Sequence, residues 1–245
     1  ACTAAMLAPY INGSNEDPIW DAGSMNAVVE AADAAGLQLA IHAIGDRAIR
    51  QAVDALEAAA EANGTTGRRH RIEHLETTQE ADIGRLAEAG IIASMQPVHA
   101  DPEILANWSA MLGPDRAERG FAWPRYLETG ARLVFGTDTP TAPFEPLLNM
   151  YIAATRRSPA FPDLEAHRPD WALPMEQVVE LATREPIWSA GLEDTTGMLR
   201  AGMAADLVVV DTDFIDAGPE ALLTTGVVLT MMDGRVTHGE EPRLG

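Results

Sequence analysis

Residues 37–46, LQLAIHAIGD, decide how this chain is read. Leu37–Ala43 is almost continuously apolar, as strands buried in a parallel sheet are. It delivers His42 to a small-residue turn, Ala43-Ile44-Gly45, and a helix is expected from Asp46. A strand that carries a histidine to the rim of a sheet is where an α/β protein can build chemistry.

Outward from that stretch, helix and strand alternate. Upstream, Ser24–Ala35 reads as a helix with Met25, Val28, Val29 and Ala32 on one face, Ser24 as N-cap and Gly36 as the stop. Residues 1–21 read as irregular, with Trp20 awaiting a packing partner. Downstream, Asp46–Ala62 turns Ile49, Val53 and Leu56 inward, with Asp46 as its N-cap or as a hydrogen-bond partner of a ligand histidine. A strand is expected at 69–75, a helix at Thr78–Ala89, and a strand at Ile91–Gln96 ended by Pro97. Residues 97–119 read as a long loop with one helical turn around Ile104–Met111. A short helix at Pro124–Thr129, a strand at Arg132–Asp138 and a helix at Glu145–Arg156 follow. Such alternation with short connections is the pattern of a parallel sheet with crossover helices. Beyond a loop at 157–174 and one or two helices in 174–192, the pattern changes. Asp206–Asp211 and Val227–Met232 read as β-structure, with Asp233-Gly234 as a hairpin turn.

Composition narrows the partners. With 17 basic and 37 acidic residues the formal charge is −20, which repels phosphate backbones and anionic membranes, so neither nucleic acid nor a membrane is expected. The 47% hydrophobic fraction is enough for a sizeable core, and no apolar run reaches the ~20 residues that span a bilayer. The one cysteine, Cys2, excludes an intrachain disulfide and fits a reducing, cytoplasmic location. The N-terminal residues lack the basic region of a signal peptide.

Three residues fall at matching strand ends: His42, His74 and Asp138. The intervals are 32 and 64 residues, close to one and two units of a (β/α)₈ barrel, which has roughly 31 residues per unit. Taken singly, each has a plain reading, since strand-end histidines are more often hydrogen-bonded structural residues and an Asp before Thr-Pro can stabilise a turn. Together, two imidazoles and a carboxylate on one rim form a ligand set suited to Zn²⁺ or a similar divalent ion. His70 is about 13 Å from His74 along the strand and cannot share that ion. Gln96, at the end of the third strand, and His99, on the rim loop after it, stand where substrate could be met, although His99 reads equally as a surface-loop histidine. Glu73 is expected to face the helices or pair with Arg71 or Arg47, and His167 and His238 to lie on the surface. With no Gly-rich phosphate loop, no G-x-S-x-G elbow and no CxxC pair, metal-activated water is the chemistry the residues favour.

IHAIGDRAI (41–49), RHRIEHLE (69–76), IIASMQPVHAD (91–101), RLVFGTDTP (132–140), TTGMLRAGMAADLVVVD (195–211) and VVLTMMDGRVTHG (227–239) resemble, in order, the amidohydrolase superfamily. The likeness is to its family 3 branch, which includes N-substituted formamide deformylases. The resemblance implies a (β/α)₈ barrel with a metal centre of one or two divalent ions, most often Zn²⁺, plus a small β-sandwich. His42 would be the strand-5 ligand, His74 the strand-6 ligand and Asp138 the strand-8 aspartate and proton carrier. The implied reaction is hydrolysis of an amide or formamide C–N bond of a small molecule. The family's first-strand His-x-His pair and strand-4 lysine are absent. The expectation is therefore the C-terminal half of the fold: strands 5–8 of the TIM-type barrel in 1–192 and the C-terminal part of the sandwich in 193–245. Such a chain is a fragment or subunit, expected to need the missing N-terminal half or an oligomeric partner. The competing readings are a non-catalytic interaction or scaffold module of the same fold, and a phosphate-site barrel with His42 as general base.

Overall fold

A computed structural model of the chain describes residues 3–239; Cys2 and positions 240–245 of the expected sandwich segment lie outside them. The expected alternation is present as α1 (Ala22–Ala34), β1 (Ala40–Ala43), α2 (Asp46–Asn63), β2 (Arg71–His74), α3 (Glu80–Ala89), β3 (Ile92–Met95) and, further on, β4 (Leu133–Phe135). The four strands form one parallel sheet in the order β1-β2-β3-β4. Helix periodicity explains the packing. Ile49, Val53 and Leu56 of α2 and Ile83 and Leu86 of α3 are buried with Ile72 of β2 beneath them.

β3 and β4 are buried along their whole length, but β1 is not. Its Ala40 and His42 are exposed, which corrects the expectation of a strand covered on both faces. Among the described residues β1 and β4 are both edges of the sheet, but Met175–Ala182 and Arg184–Ser189 pack against β4, whereas no such layer covers the outer side of β1. Beside it lies a groove of about 740 Å³ whose apolar lining includes Ile19, Trp20, Val28 and Ile41.

Two helix starts differ from the sequence reading. Asp21, not Ser24, caps α1, and Ser24 donates to it through both its backbone N–H and its hydroxyl. Gly45, not Asp46, is the N-cap of α2. The Ala5 carbonyl caps that helix by accepting from Arg47 and Ala48 N–H, and Asp46 Oδ1 accepts from Leu7 N–H at 2.7 Å. A Cβ at position 45 would lie 2.1 Å from the Ala5 oxygen, so the glycine of LQLAIHAIGD is required by this close approach.

The expected loop at 97–119 is ordered structure. A 3₁₀ turn, Pro97–Ala100, leads into α4 (Pro102–Leu112), α5 (Pro114–Ala117) and α6 (Trp123–Thr129). Asp101 caps α4 by accepting from Glu103 N–H, and Pro102 fills its first turn. Leu105, Trp108 and Leu112 then face the core.

The remainder comprises α7 (Pro146–Thr155), α8 (Met175–Ala182), α9 (Arg184–Ser189), β5 (Leu207–Val210), α10 (Phe214–Ala217), β6 (Val227–Met232) and β7 (Arg235–His238). The last three strands make an antiparallel sheet, and Asp233 and Gly234, both at positive φ, form the expected hairpin turn. No helix among the described residues is long and apolar enough to cross a membrane.

Candidate metal centre

The three strand-end residues reach one rim. His42 is the third residue of β1, His74 the last of β2, and Asp138 follows the end of β4 by three residues. The His42 and His74 rings meet edge to face, with centroids 4.5 Å apart. His99, from the 3₁₀ turn after β3, lies 5.5 Å from His74. Its Nε2 is 3.4 Å from Asp138 Oδ2. The tightest group is thus His74, His99 and Asp138, whose donor atoms all lie within 4.8 Å of one another. His42 stands against that group through His74 rather than inside it. Spacing placed His42, His74 and Asp138 on the rim, and folding adds His99 between two of them.

The surroundings are acidic. Glu76, buried two residues beyond His74, brings Oε1 to 3.2 Å from His99 Nδ1. The approach is too oblique for a hydrogen bond, so His99 Nδ1 is a buried nitrogen without one. Glu73 sits in register with His42 on the same face of the sheet and pairs with Arg71, as one of its expected partners. Gln96 is buried and connects the two strands: its Oε1 lies 2.8 Å from His74 Nδ1 and its Nε2 donates to Glu73 Oε2. Although His42 is exposed on one side, partial loss of water around its ring and the neighbouring His74 ring hold it below the usual histidine pKa, against the opposite pull of Glu76, Asp138 and Glu73. A neutral His42 keeps a lone pair for a cation.

Backbone strain concentrates here. His74, Leu75 and Asp138 have φ of 76°, 53° and 61°, a left-handed region that costs a side-chain-bearing residue about 1–3 kcal/mol. The turn out of β2 and the segment after β4 hold it because Leu75 N–H bonds to Ala43 O and the Asp138 carbonyl accepts from Thr141 and Ala142.

Two imidazoles and a carboxylate with clustered donor atoms fit a divalent ion, and no lysine occurs anywhere in the sequence to compete for the carboxylates. The sequence reading missed Glu76, although its place two residues beyond a strand-end histidine is a visible signal. Asp46 touches none of the histidines; its Oδ2 accepts from Gln79. His70 points to the other end of the sheet, toward Asp33. His238 is exposed, as expected, whereas His167 is half-buried, and burial with the charges of Arg156 and Arg168 lowers its pKa to about 4.

Known proteins resemble this chain over most of its length. The protein LONG AFTER FAR-RED 3 of Arabidopsis thaliana is 32% identical over 219 residues, 87% of this chain and 37% of that protein. The N-substituted formamide deformylase of Arthrobacter pascens is 29% identical over 205 residues, 81% of this chain and 36% of that enzyme. The crystal structure of an uncharacterized metal-dependent hydrolase from Pyrococcus furiosus superposes with a TM-score of 0.68 at 25% identity, covering 83% of this chain and 40% of its own. The chain therefore spans about two fifths of the length of these relatives. A family model described as the amidohydrolase family matches residues 1–238, a span that includes every residue of the rim cluster, and the chain belongs to that family.

Proposed function

We propose that this chain contributes the strand 5–8 share of the metal centre of a hydrolase that cleaves C–N bonds, amide or formamide, in small molecules. The observation that carries the reading is the convergence of His74, His99 and Asp138 within 4.8 Å, with His42 against His74, on the rim of a parallel sheet. His42, His74 and Asp138 are the ligand set, with His99 at its side, and their nitrogen and oxygen donors suit zinc, as one ion or two. A bound ion of this kind supplies Lewis-acid activation of water and of the scissile carbonyl. Asp138 takes the proton of the attacking water on its carboxylate and hands it to the departing amine. His99 and the rim turn after β3 face the substrate side.

The four-stranded sheet supports the half-barrel reading. Residues 1–192 act as the C-terminal half of a barrel and 193–245 as part of a sandwich. Four strands cannot close a barrel, and among the described residues β1 keeps an unpaired edge beside an apolar groove. The N-terminal half, or an oligomeric partner in its place, covers that edge and completes the site. A cytoplasmic location fits the single cysteine.

The test is zinc bound per chain, measured by elemental analysis on the full chain and on its His42→Ala, His74→Ala and Asp138→Ala variants. Each variant should bind zinc at least about tenfold more weakly. Undiminished zinc in His74→Ala and Asp138→Ala overturns the reading and favours a non-catalytic module. Formate release from N-substituted formamides, assayed with the N-terminal half supplied, tests the substrate class.

A further inference from the structure

We infer that Gln96 is a positioning residue of the metal centre, one that fixes the tautomer of His74 so that Nε2 is the ring nitrogen left for an ion. The inference rests on the metal-centre reading and deepens it. Donor and acceptor roles are fixed along four side chains, with Glu73 accepting from both sides. Arg71 Nε donates to Glu73 Oε1 at 2.5 Å. A guanidinium only donates and a carboxylate only accepts. Glu73 Oε2 therefore takes its hydrogen bond from the amide nitrogen of Gln96, at 3.3 Å. That contact settles which end of the amide faces which neighbour. Gln96 Oε1 is left facing His74 Nδ1 at 2.8 Å. A carbonyl oxygen only accepts, so Nδ1 carries the hydrogen. A neutral imidazole has one N–H, and Nε2 keeps its lone pair.

The sheet supports this chain of contacts. Glu73 is in register with Ser94, and Gln96, two residues on, continues the same face. Gln96 and His74 are only 5% and 7% exposed, so water does not compete for the bond between them. Both ends of the Gln96 amide are thus directed at protein groups, a use different from substrate contact. Arg71 has a part as well: it holds Glu73 in the orientation that prevents the amide from turning over.

Nitrogen-resolved NMR of the His74 ring, on the full chain without metal, reads the tautomer directly. The native chain should show the Nδ1–H form. Gln96→Leu should lose that preference and bind zinc about 10–100-fold more weakly. Glu73→Gln, which leaves the surface of the sheet intact, should allow the amide to turn and give a mixture of tautomers. The exchanged pair, Glu73→Gln with Gln96→Glu, keeps an acceptor toward His74 and a donor behind it, and should recover the Nδ1–H form. A native chain in the Nε2–H form overturns the inference, as does a Gln96→Leu chain with tautomer and zinc affinity unchanged. The parent reading fails separately. If His74→Ala leaves zinc binding intact while Gln96→Leu still moves the tautomer, the metal centre is wrong and the positioning holds. If His74→Ala loses zinc and Gln96→Leu changes nothing, the positioning is wrong and the metal centre holds.

Discussion

His70, just before β2, and His74, its last residue, lie four residues apart and are used in opposite ways. At His70 every hydrogen-bonding position is filled. Nδ1 accepts from Leu39 N–H at 3.1 Å, and Nε2 donates to Asp33 Oδ1 at 3.0 Å. Asp33 in turn accepts from Asn63 and Thr65, and Arg68 lies alongside it. At His74 one ring nitrogen is held by Gln96, and the ring is packed between two other imidazoles next to an aspartate. Both sites are buried and both combine histidine with carboxylate. Residue type does not separate them; saturation does. A buried polar group whose partners are all supplied by the protein serves the fold, while one with a position left over can serve chemistry.

The contrast can be broken most strongly at Asp33. Asp33→Ala leaves the partners of a buried carboxylate unpaired and should cost about 3–5 kcal/mol in urea unfolding. Zinc affinity at the rim should be unchanged; a parallel loss of affinity would mean that the two ends of β2 are coupled. His70→Ala comes next. It removes the acceptor of Leu39 N–H and one of several donors to Asp33, for about 1–3 kcal/mol by the same measurement, again with zinc binding intact. If His70→Ala were neutral in stability, saturation would not be what distinguishes it from His74.

The smallest effect is the acid response of the same network. Burial by itself raises the Asp33 pKa, but hydrogen bonds from Thr65, Asn63 and His70 and the charge of Arg68 outweigh it and lower the value from 3.8 to about 2. A carboxylate with a depressed folded pKa contributes stability that is complete above the unfolded value and is lost as pH falls through the folded one. The loss should therefore fall between pH 3.8 and about 2. It should be smaller than that of Asp33→Ala, because the protonated side chain still fills its place. Unfolding free energies measured across that window, with and without Asp33→Asn, isolate it. An unchanged acid limb in the variant would assign the response to other carboxylates.

The strands and helices were legible because they repeat a short physical pattern. An apolar run followed by a 3.6-residue periodicity marks each β–α unit, and the interval between units placed His42, His74 and Asp138 at equivalent ends. The region 97–119 was harder, although Asp101-Pro102 is a helix-start signal and α4 begins there. Pro97, Pro102 and Pro114 each open a separate short helical segment, and prolines so closely spaced read as a loop. The exposure of β1 had no local signal at all. An apolar strand reads the same covered or uncovered, because what decides is whether distant segments pack over it, as α8 and α9 do over β4.

The sequence by itself determined the order of the elements, the parallel arrangement of the first sheet, the hairpin at Asp233-Gly234 and the arrival of two histidines and an aspartate at one rim. These follow from interactions within about one turn or one strand. Only the tertiary structure decided that His99 enters the cluster, that Glu76 stands behind it, that Gln96 holds His74, and that His70, four residues away, is fully occupied elsewhere. Those facts depend on which donor meets which acceptor across segments 20 or more residues apart, and a hydrogen bond is decided by tenths of an ångström that no spacing rule carries.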